Sequence, residues 1–359
     1  MTRDIDRRQF VRAAGLAGVA GLAGCAGESG GGGTETATAA ANIGMVYATG
    51  GLDDGSFNDQ AQQGLQRARE EFDIASDRTQ PSEVSQFTNF QQQFAQSTNP
   101  DYDLVCCIGF LQTDALEQTS ESHPEQNFMI VDSVVERDNV GSYVFKEHEG
   151  SYLAGVLAGM LSTREFSAGA GESAGNANVG FVGGVEGSLI KKFEAGYLSG
   201  LESMDTDIQT QSTYVGSFSD PQGGKEAALS MYDNGADVVY HASGNTGTGV
   251  FQAAQERGKF AIGVDRDQSV TKSAYADVIL GSMVKRVDTA VYESIASVVN
   301  DDFDGGAVTT LGLDSNGVAL VYGDELGGDV PEDVKSAVSS AREGIIGGDI
   351  SVPTDPSGV

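Results

Sequence analysis

Few side chains in this 359-residue sequence stand where they could do chemistry, and those that do suit binding better than catalysis. Phe57 lies in Gly55-Ser56-Phe57-Asn58, and Phe218 lies between Ser217 and Ser219. An aromatic ring in such a polar, glycine-bearing setting is placed to stack on another flat ring, a contact of about 1–3 kcal/mol when the partner is a nucleic-acid base. Asp265 follows the apolar run 261–264, where its carboxylate can accept hydrogen bonds from two neighbouring hydroxyls. Lys285 is one of few lysines and sits in an otherwise apolar stretch, where its ammonium could donate to a hydroxyl and compensate Asp265. Asn58 offers donor and acceptor together, and Asp132 offers an acceptor after the apolar run 128–131.

Catalytic sets are missing from the sequence. Of the three histidines, His123 precedes Pro124 in a polar loop and His148 reads as a surface residue between Glu147 and Glu149. His241 ends an apolar run and could line a cleft, but no second His or Cys completes a metal set beside it. There is no nucleophile elbow with acid and base. Residues 185–191 lack the glycine run and ending of a phosphate loop, and 180–187 lack the opening of a dinucleotide fingerprint. Asp53-Asp54 is the only acidic pair near a glycine loop and reads as shaping the turn before a helix. The chain is therefore read as a non-enzyme with no cofactor and no metal.

The elements that must position these residues alternate. Short apolar runs at 43–47, 104–108, 128–131, 179–182, 238–241 and 261–264 read as strands. Amphipathic stretches at 57–72, 85–97, 113–121, 151–161, 187–203, 223–234 and 248–255 read as helices between them. Such alternation implies parallel sheets built from βαβ units, with ligands at the carboxyl ends of the strands. The chain is too long for one core and divides into two facing lobes. Cys106 and Cys107 fall within one apolar run, so they point to opposite faces of a strand and serve as small buried apolar residues.

The amino terminus reads as an address. Arg7-Arg8 precedes a mildly apolar run, 13–23, that ends in Leu22-Ala23-Gly24-Cys25. The run is too short and too weak to span a membrane, and the order of charged, apolar and small residues is that of an export signal. Residues 26–42 are mostly Gly, Ser, Thr and Ala and read as a flexible tether. The formal charge is −31, from 52 acidic and 21 basic residues spread along the chain. No basic patch is available for phosphate backbones, which excludes nucleic acid as a partner. So acidic a surface needs salt to screen it and reads as haloarchaeal in type.

Residues 44–58 (GMVYATGGLDDGSFN), with Ala61 and Gly64, resemble the opening signature of the basic membrane protein family, lipoprotein receptors of nucleoside ABC transporters. Segments 107–115 (CIGFLQTDA), 128–132 (FMIVD), 149–155 (EGSYLAG), 179–184 (VGFVGG), 196–200 (GYLSG), 215–221 (VGSFSDP), 241–249 (HASGNTGTG), 262–268 (IGVDRDQ) and 281–285 (GSMVK) follow in family order. The resemblance covers roughly residues 43–350. It implies a two-lobed α/β fold of the type I periplasmic-binding-protein kind, each lobe a parallel sheet flanked by helices. Lobe 1 is expected to hold 43–146 plus about 285–318, and lobe 2 to hold 147–284 plus about 319–359.

By the same resemblance Cys25, closing a lipobox, is the lipidated first residue of the mature protein, anchored on the extracellular face of the cell membrane. Asp265 and Lys285 match ribose-holding positions, Gly244 a position where backbone meets the sugar, and Asn58 and Asp132 base-contacting positions. Phe57 and Phe218, in comparable loops of the two lobes, would sandwich the base as the lobes close about a hinge. The implied partners are a nucleoside, with purines expected, and the permease subunits of an ABC transporter, with the receptor acting as a monomer. The family often carries an Asp where this chain has Ala48, which removes one acceptor from the base side. A sensor of the same fold, or a receptor for another heteroaromatic solute such as riboflavin, remains the alternative.

Overall fold

The computed structural model describes residues 39–204 and 206–359. The export signal, Cys25 and most of the tether lie outside the described residues. In chain order the first half comprises β1 (Ala41–Val46), α1 (Phe57–Glu71), β2 (Ile74–Thr79), α2 (Phe87–Ala95), β3 (Leu104–Cys107), α3 (Thr113–Ser122), β4 (Phe128–Val131), β5 (Val140–Phe145), α4 (Glu147–Ser162) and a small hairpin, β6 (Glu165–Ala168) with β7 (Gly171–Ala174). The second half comprises β8 (Asn178–Gly183), α5 (Ser188–Glu202), β9 (Gln209–Tyr214), α6 (Pro221–Asp233), β10 (Val238–Ala242), α7 (Gly247–Arg257), β11 (Phe260–Asp265), α8 (Gln268–Thr271), β12 (Ile279–Lys285), α9 (Val287–Val299), β13 (Val308–Leu311), β14 (Val318–Tyr322) and α10 (Glu332–Gly347).

Among the described residues these strands form two six-stranded sheets, ordered β13-β5-β4-β3-β1-β2 and β14-β12-β11-β10-β8-β9. The first sheet is parallel throughout. The second departs from the expected all-parallel sheet at one edge, where β14 runs antiparallel to β12. An antiparallel edge strand on a parallel sheet needs no covering helix and is common in large sheets. The strand order of the two sheets is the same, so β1, β3 and β4 correspond to β8, β10 and β11.

The central strands are buried on both faces, as parallel strands between helix layers must be. Cys106 and Cys107 illustrate it: both are fully buried, and alternate side chains of β3 enter two different apolar clusters. β1 begins at Ala41, inside the segment read as tether, because Ala41 and Asn42 pair in register with Ile74 and Ala75. Helices α4 and α5 pack with almost no side-chain spacing. A Cβ on Gly155 would lie 2.2 Å from the Tyr197 carbonyl oxygen, and one on Gly196 2.1 Å from that of His148.

The chain passes between the sheets three times among the described residues: from β5 into α4, from β12 into α9, and from β13 into β14. Helix α9 returns to the first sheet's side, where Asp288 accepts a hydrogen bond from Gln60 of α1 at 2.7 Å. The three passes are tied to one another. Lys146 N donates to Leu311 O and Arg286 N to Gly317 O, both at 2.9 Å, and Glu149 Oε2 accepts from Leu313 N at 2.9 Å.

Candidate functional site

The loops after β1, β3 and β4 face those after β8, β10 and β11 across a cavity at the strand ends, the place where ligands bind in α/β sheets. All seven of the sequence-derived binding residues, Phe57, Asn58, Asp132, Phe218, Gly244, Asp265 and Lys285, line it.

The first loop is shaped from within. Asp54 accepts hydrogen bonds from the backbone N–H groups of Ser56 (2.8 Å), Asn58 (2.9 Å) and Asp59 (3.2 Å), so its carboxylate satisfies the free amides at the start of α1. Burial pushes the Asp54 carboxyl up to about 6, against these bonds. Asn58 is 2 % exposed. Its Oδ1 accepts from Ala48 N at 2.9 Å, and its Nδ2 donates to Asp54 at 3.2 Å. One amide hydrogen and one lone pair stay uncommitted, so Asn58 both fixes the loop and keeps capacity toward the cavity.

The aromatic walls come from both sides. The Phe57 ring lies against Gly109, where a Cβ would stand 3.3 Å from it, and Gly109 adopts φ 107°. Phe218 covers Gly184, where a Cβ would stand 2.3 Å from its ring. Its aromatic neighbour is Phe110, edge-on at 6.3 Å between centroids. Phe110, in the segment 107–115, was not singled out from sequence, although its place just after a strand-end glycine resembles the setting of Phe57. Gly244 has φ 57° and sits 3.2 Å, measured from a built Cβ, from the Phe218 carbonyl. Backbone conformation as well as space therefore demands glycine there.

Asp265 and Asp132 end corresponding strands, and both take positive φ, 65° and 69°, a conformation that Asp tolerates better than most residues. Asp265 is 5 % exposed and accepts a hydrogen bond from Ser56 Oγ at 2.6 Å, a contact between the two sheets' loops. The Thr271 hydroxyl donates to Gly55 O at 2.7 Å beside it. Burial raises the Asp265 carboxyl above the usual range, while Lys285 and the Ser56 hydroxyl oppose the shift.

Lys285 is 2 % exposed, which excludes a solvated surface amine. Its Nζ donates to Asp132 Oδ2 at 2.7 Å, lies 3.6 Å from Glu147 Oε1, and stands 4.9 Å above the centre of the Phe57 ring. Burial disfavours its charge, but Asp132, Glu147 and Asp265 together outweigh burial and hold the ammonium above the usual lysine range. Asp132 Oδ1 is buried with no hydrogen-bond partner in the protein.

Two histidine readings need correction. His241 is fully buried behind the cavity rather than in it, bonded through Nε2 to Gln268 at 2.9 Å and through Nδ1 to Ser243 at 3.2 Å. Burial lowers it to about 4, so it is a neutral core group. His148 is half-buried rather than superficial, because α5 packs closely over the start of α4. Among the described residues no group of His, Cys, Asp and Glu could hold a metal ion, and no helix is long and apolar enough to cross a membrane.

Two corresponding α/β sheets with a mainly apolar, aromatic-walled cavity at their facing strand ends, carrying a few charged groups, define a solute-binding protein of the periplasmic-binding-protein class. Residues 41–355 match the model of the PnrA-like ABC transporter substrate-binding proteins, and the chain belongs to that family. It is 36 % identical to the CD4+ T-cell-stimulating antigen of Listeria innocua over 90 % of this chain and 91 % of that protein. It is 33 % identical to the ABC transporter nucleoside-binding protein BmpA of Lactococcus lactis over 86 % of this chain and 88 % of that protein. A solved ABC transporter solute-binding protein from Aeropyrum pernix superposes with a TM-score of 0.77 at 28 % identity, covering 88 % of this chain and 95 % of that one. The family binds solutes and is not enzymatic.

Proposed function

We propose that this protein is the nucleoside receptor of an ABC transporter, with purine nucleosides as its ligands, anchored by lipid at Cys25 outside the cell and adapted to high salt. The observation that carries the reading is the meeting of Asp265, Asp132 and Lys285 with Phe57 and Phe218 in the lining of one cavity. The nucleoside-binding relative supports it. A ribose diol would donate to Asp265 and accept from Lys285, and the base would lie between the two phenylalanines, its edge toward Asn58 and Asp132. Residues 43–146 with 285–318 would move against 147–284 with 319–359, flexing at the three passes. Ligand contacts from both sides favour the closed arrangement.

A thermal-shift screen of the mature domain in molar KCl tests this against nucleosides, free bases, riboflavin and simple sugars. Stabilisation by nucleosides that grows with concentration, as mass action requires, and none by free bases is the expected result. Stabilisation by riboflavin or free bases alone would overturn the substrate class while leaving the receptor class standing.

A further inference from the structure

Glu147, the first residue of α4, is fully buried, does not line the cavity, and takes on its carboxylate oxygens no hydrogen bond from any other residue. Its nearest cations are Lys285 Nζ at 3.6 Å and Lys192 Nζ at 3.8 Å. The charged and titratable groups around it come from every neighbouring element: Lys285 of β12, Asp132 after β4, Lys192 of α5 and Tyr240 of β10, with Lys146, His148 and Glu149 beside it in its own chain. Lys285 thus stands between a carboxylate in the cavity and one behind it. Both Lys285 and Glu147 also lie at passes between the sheets, where lobe movement would concentrate.

We propose that Glu147 is a positioning residue of the binding site, acting through Lys285, and that it links ligand capture to the uptake of one proton, the closed cleft preferring Glu147 in its neutral form. A carboxylate so enclosed, with no donor from any other residue, is costly to keep charged. Burial lifts Glu147 to about 7 in this arrangement, Lys285 opposing the shift and Asp132 adding to it. Opening would draw Asp132, which raises the carboxyl, away from Lys285 and leave that ammonium to Glu147, which moves the carboxyl back toward its ordinary range. The form with the higher value binds the proton more tightly. Closure is therefore favoured fully below the ordinary carboxylate range, and the advantage is lost as pH rises to about 7.

The binding half of this inference rests on the nucleoside reading, so two measurements separate them. Calorimetry with adenosine in molar KCl should show the Kd of the unmodified protein rising by up to about tenfold per pH unit between roughly pH 5 and 7, then levelling. Glu147→Gln keeps the shape and removes the proton. Its slope should be smaller by one proton, and its binding heat should lose the matching dependence on buffer ionisation. Asp54 and Asp265 remain in both proteins, so their contributions cancel. Equal slopes in the two proteins would overturn the proposal. Absence of adenosine binding at any pH would count against the nucleoside reading, and scattering by the ligand-free protein then decides the proton linkage. The radius of gyration should fall between pH 8 and pH 5 in the unmodified protein and not in Glu147→Gln. A pH-independent radius in both sinks it.

Discussion

Asp265→Asn isolates one charge at the centre of the site. The substitution keeps the side-chain volume, and Asn tolerates the φ of 65° at this position, so the backbone is not strained as it would be by Ala. Ser56 Oγ retains an acceptor. The change removes a formal charge from a carboxylate that is 5 % exposed and already strains against burial. A hydrogen bond to a charged group contributes about 1.5–3 kcal/mol, against about 0.5–1.5 kcal/mol for a neutral one. Two ribose hydroxyls donating to Asp265 would each lose about 1–1.5 kcal/mol, together about 2–3 kcal/mol, or an affinity weaker by about 30- to 150-fold. Stability should hold or rise slightly, because the charge lost is one that burial and Asp132 oppose, which offsets the partner that Lys285 loses. Isothermal titration of adenosine gives the affinity, and thermal unfolding of the same samples tests the fold. A Kd within threefold of the unmodified protein, with an unchanged unfolding midpoint, would refute the diol assignment.

Lys285→Met leaves Asp132 and Glu147 buried without their shared cation. Binding should be lost, and stability should fall by about 3–5 kcal/mol at pH 8, less at pH 6, since protonation of Glu147 relieves part of the cost; urea unfolding at both pH values reads the difference. Phe218→Ala should weaken nucleoside binding by about 5- to 150-fold, the equivalent of a stacking contact of about 1–3 kcal/mol, with retained affinity meaning that the ring only packs on Gly184 and Phe110. Gly155→Val forces a side chain into the Tyr197 carbonyl and should cost about 1–3 kcal/mol through overpacking, seen as a lower melting midpoint with little change in affinity for the protein that still folds.

What the sequence made legible follows burial. The strands β1, β3, β4, β8, β10 and β11 lie in the middle of their sheets and are covered on both faces, so they read as continuous apolar runs. The edge strands β2 (IASDRT), β9 (QTQSTY) and β13 (VTTL) have one flank free and alternate or run polar, which hides them among loops. Lys285 was legible because it closes the mostly apolar run 279–284 and ends the family segment 281–285. Glu147 was not, because Glu147-His148-Glu149 in a chain of charge −31 is indistinguishable from an ordinary solvated helix start. Only the packing of α5 over α4 and the convergence of the passes bury it. Ser56 is a similar case: it stands just before α1, yet its side chain reaches across the cavity to Asp265 rather than along its own helix.

The correspondence of the two sheets explains how one cation serves the site. Val131 pairs with Tyr143, so Asp132 falls level with Val144, and Phe145 follows. Asp265 pairs with Val284, and Lys285 follows. Phe145 and Lys285 thus occupy corresponding positions, and they meet, with Lys285 Nζ 5.4 Å from the centre of the Phe145 ring. Had both been lysines, two ammonium groups would share this buried spot at a Coulombic cost; had both been apolar, Asp132 would be an unpaired buried charge. The same asymmetry appears at the helix starts. Ser56 precedes α1 and donates to Asp265, whereas its counterpart before α5 is Gly187, which has no side chain to offer Asp132. Each carboxylate therefore takes its protein partner from across the cavity, Asp265 from Ser56 and Asp132 from Lys285. The groups that would hold the ligand are thereby groups that already tie the loops of the two sheets together.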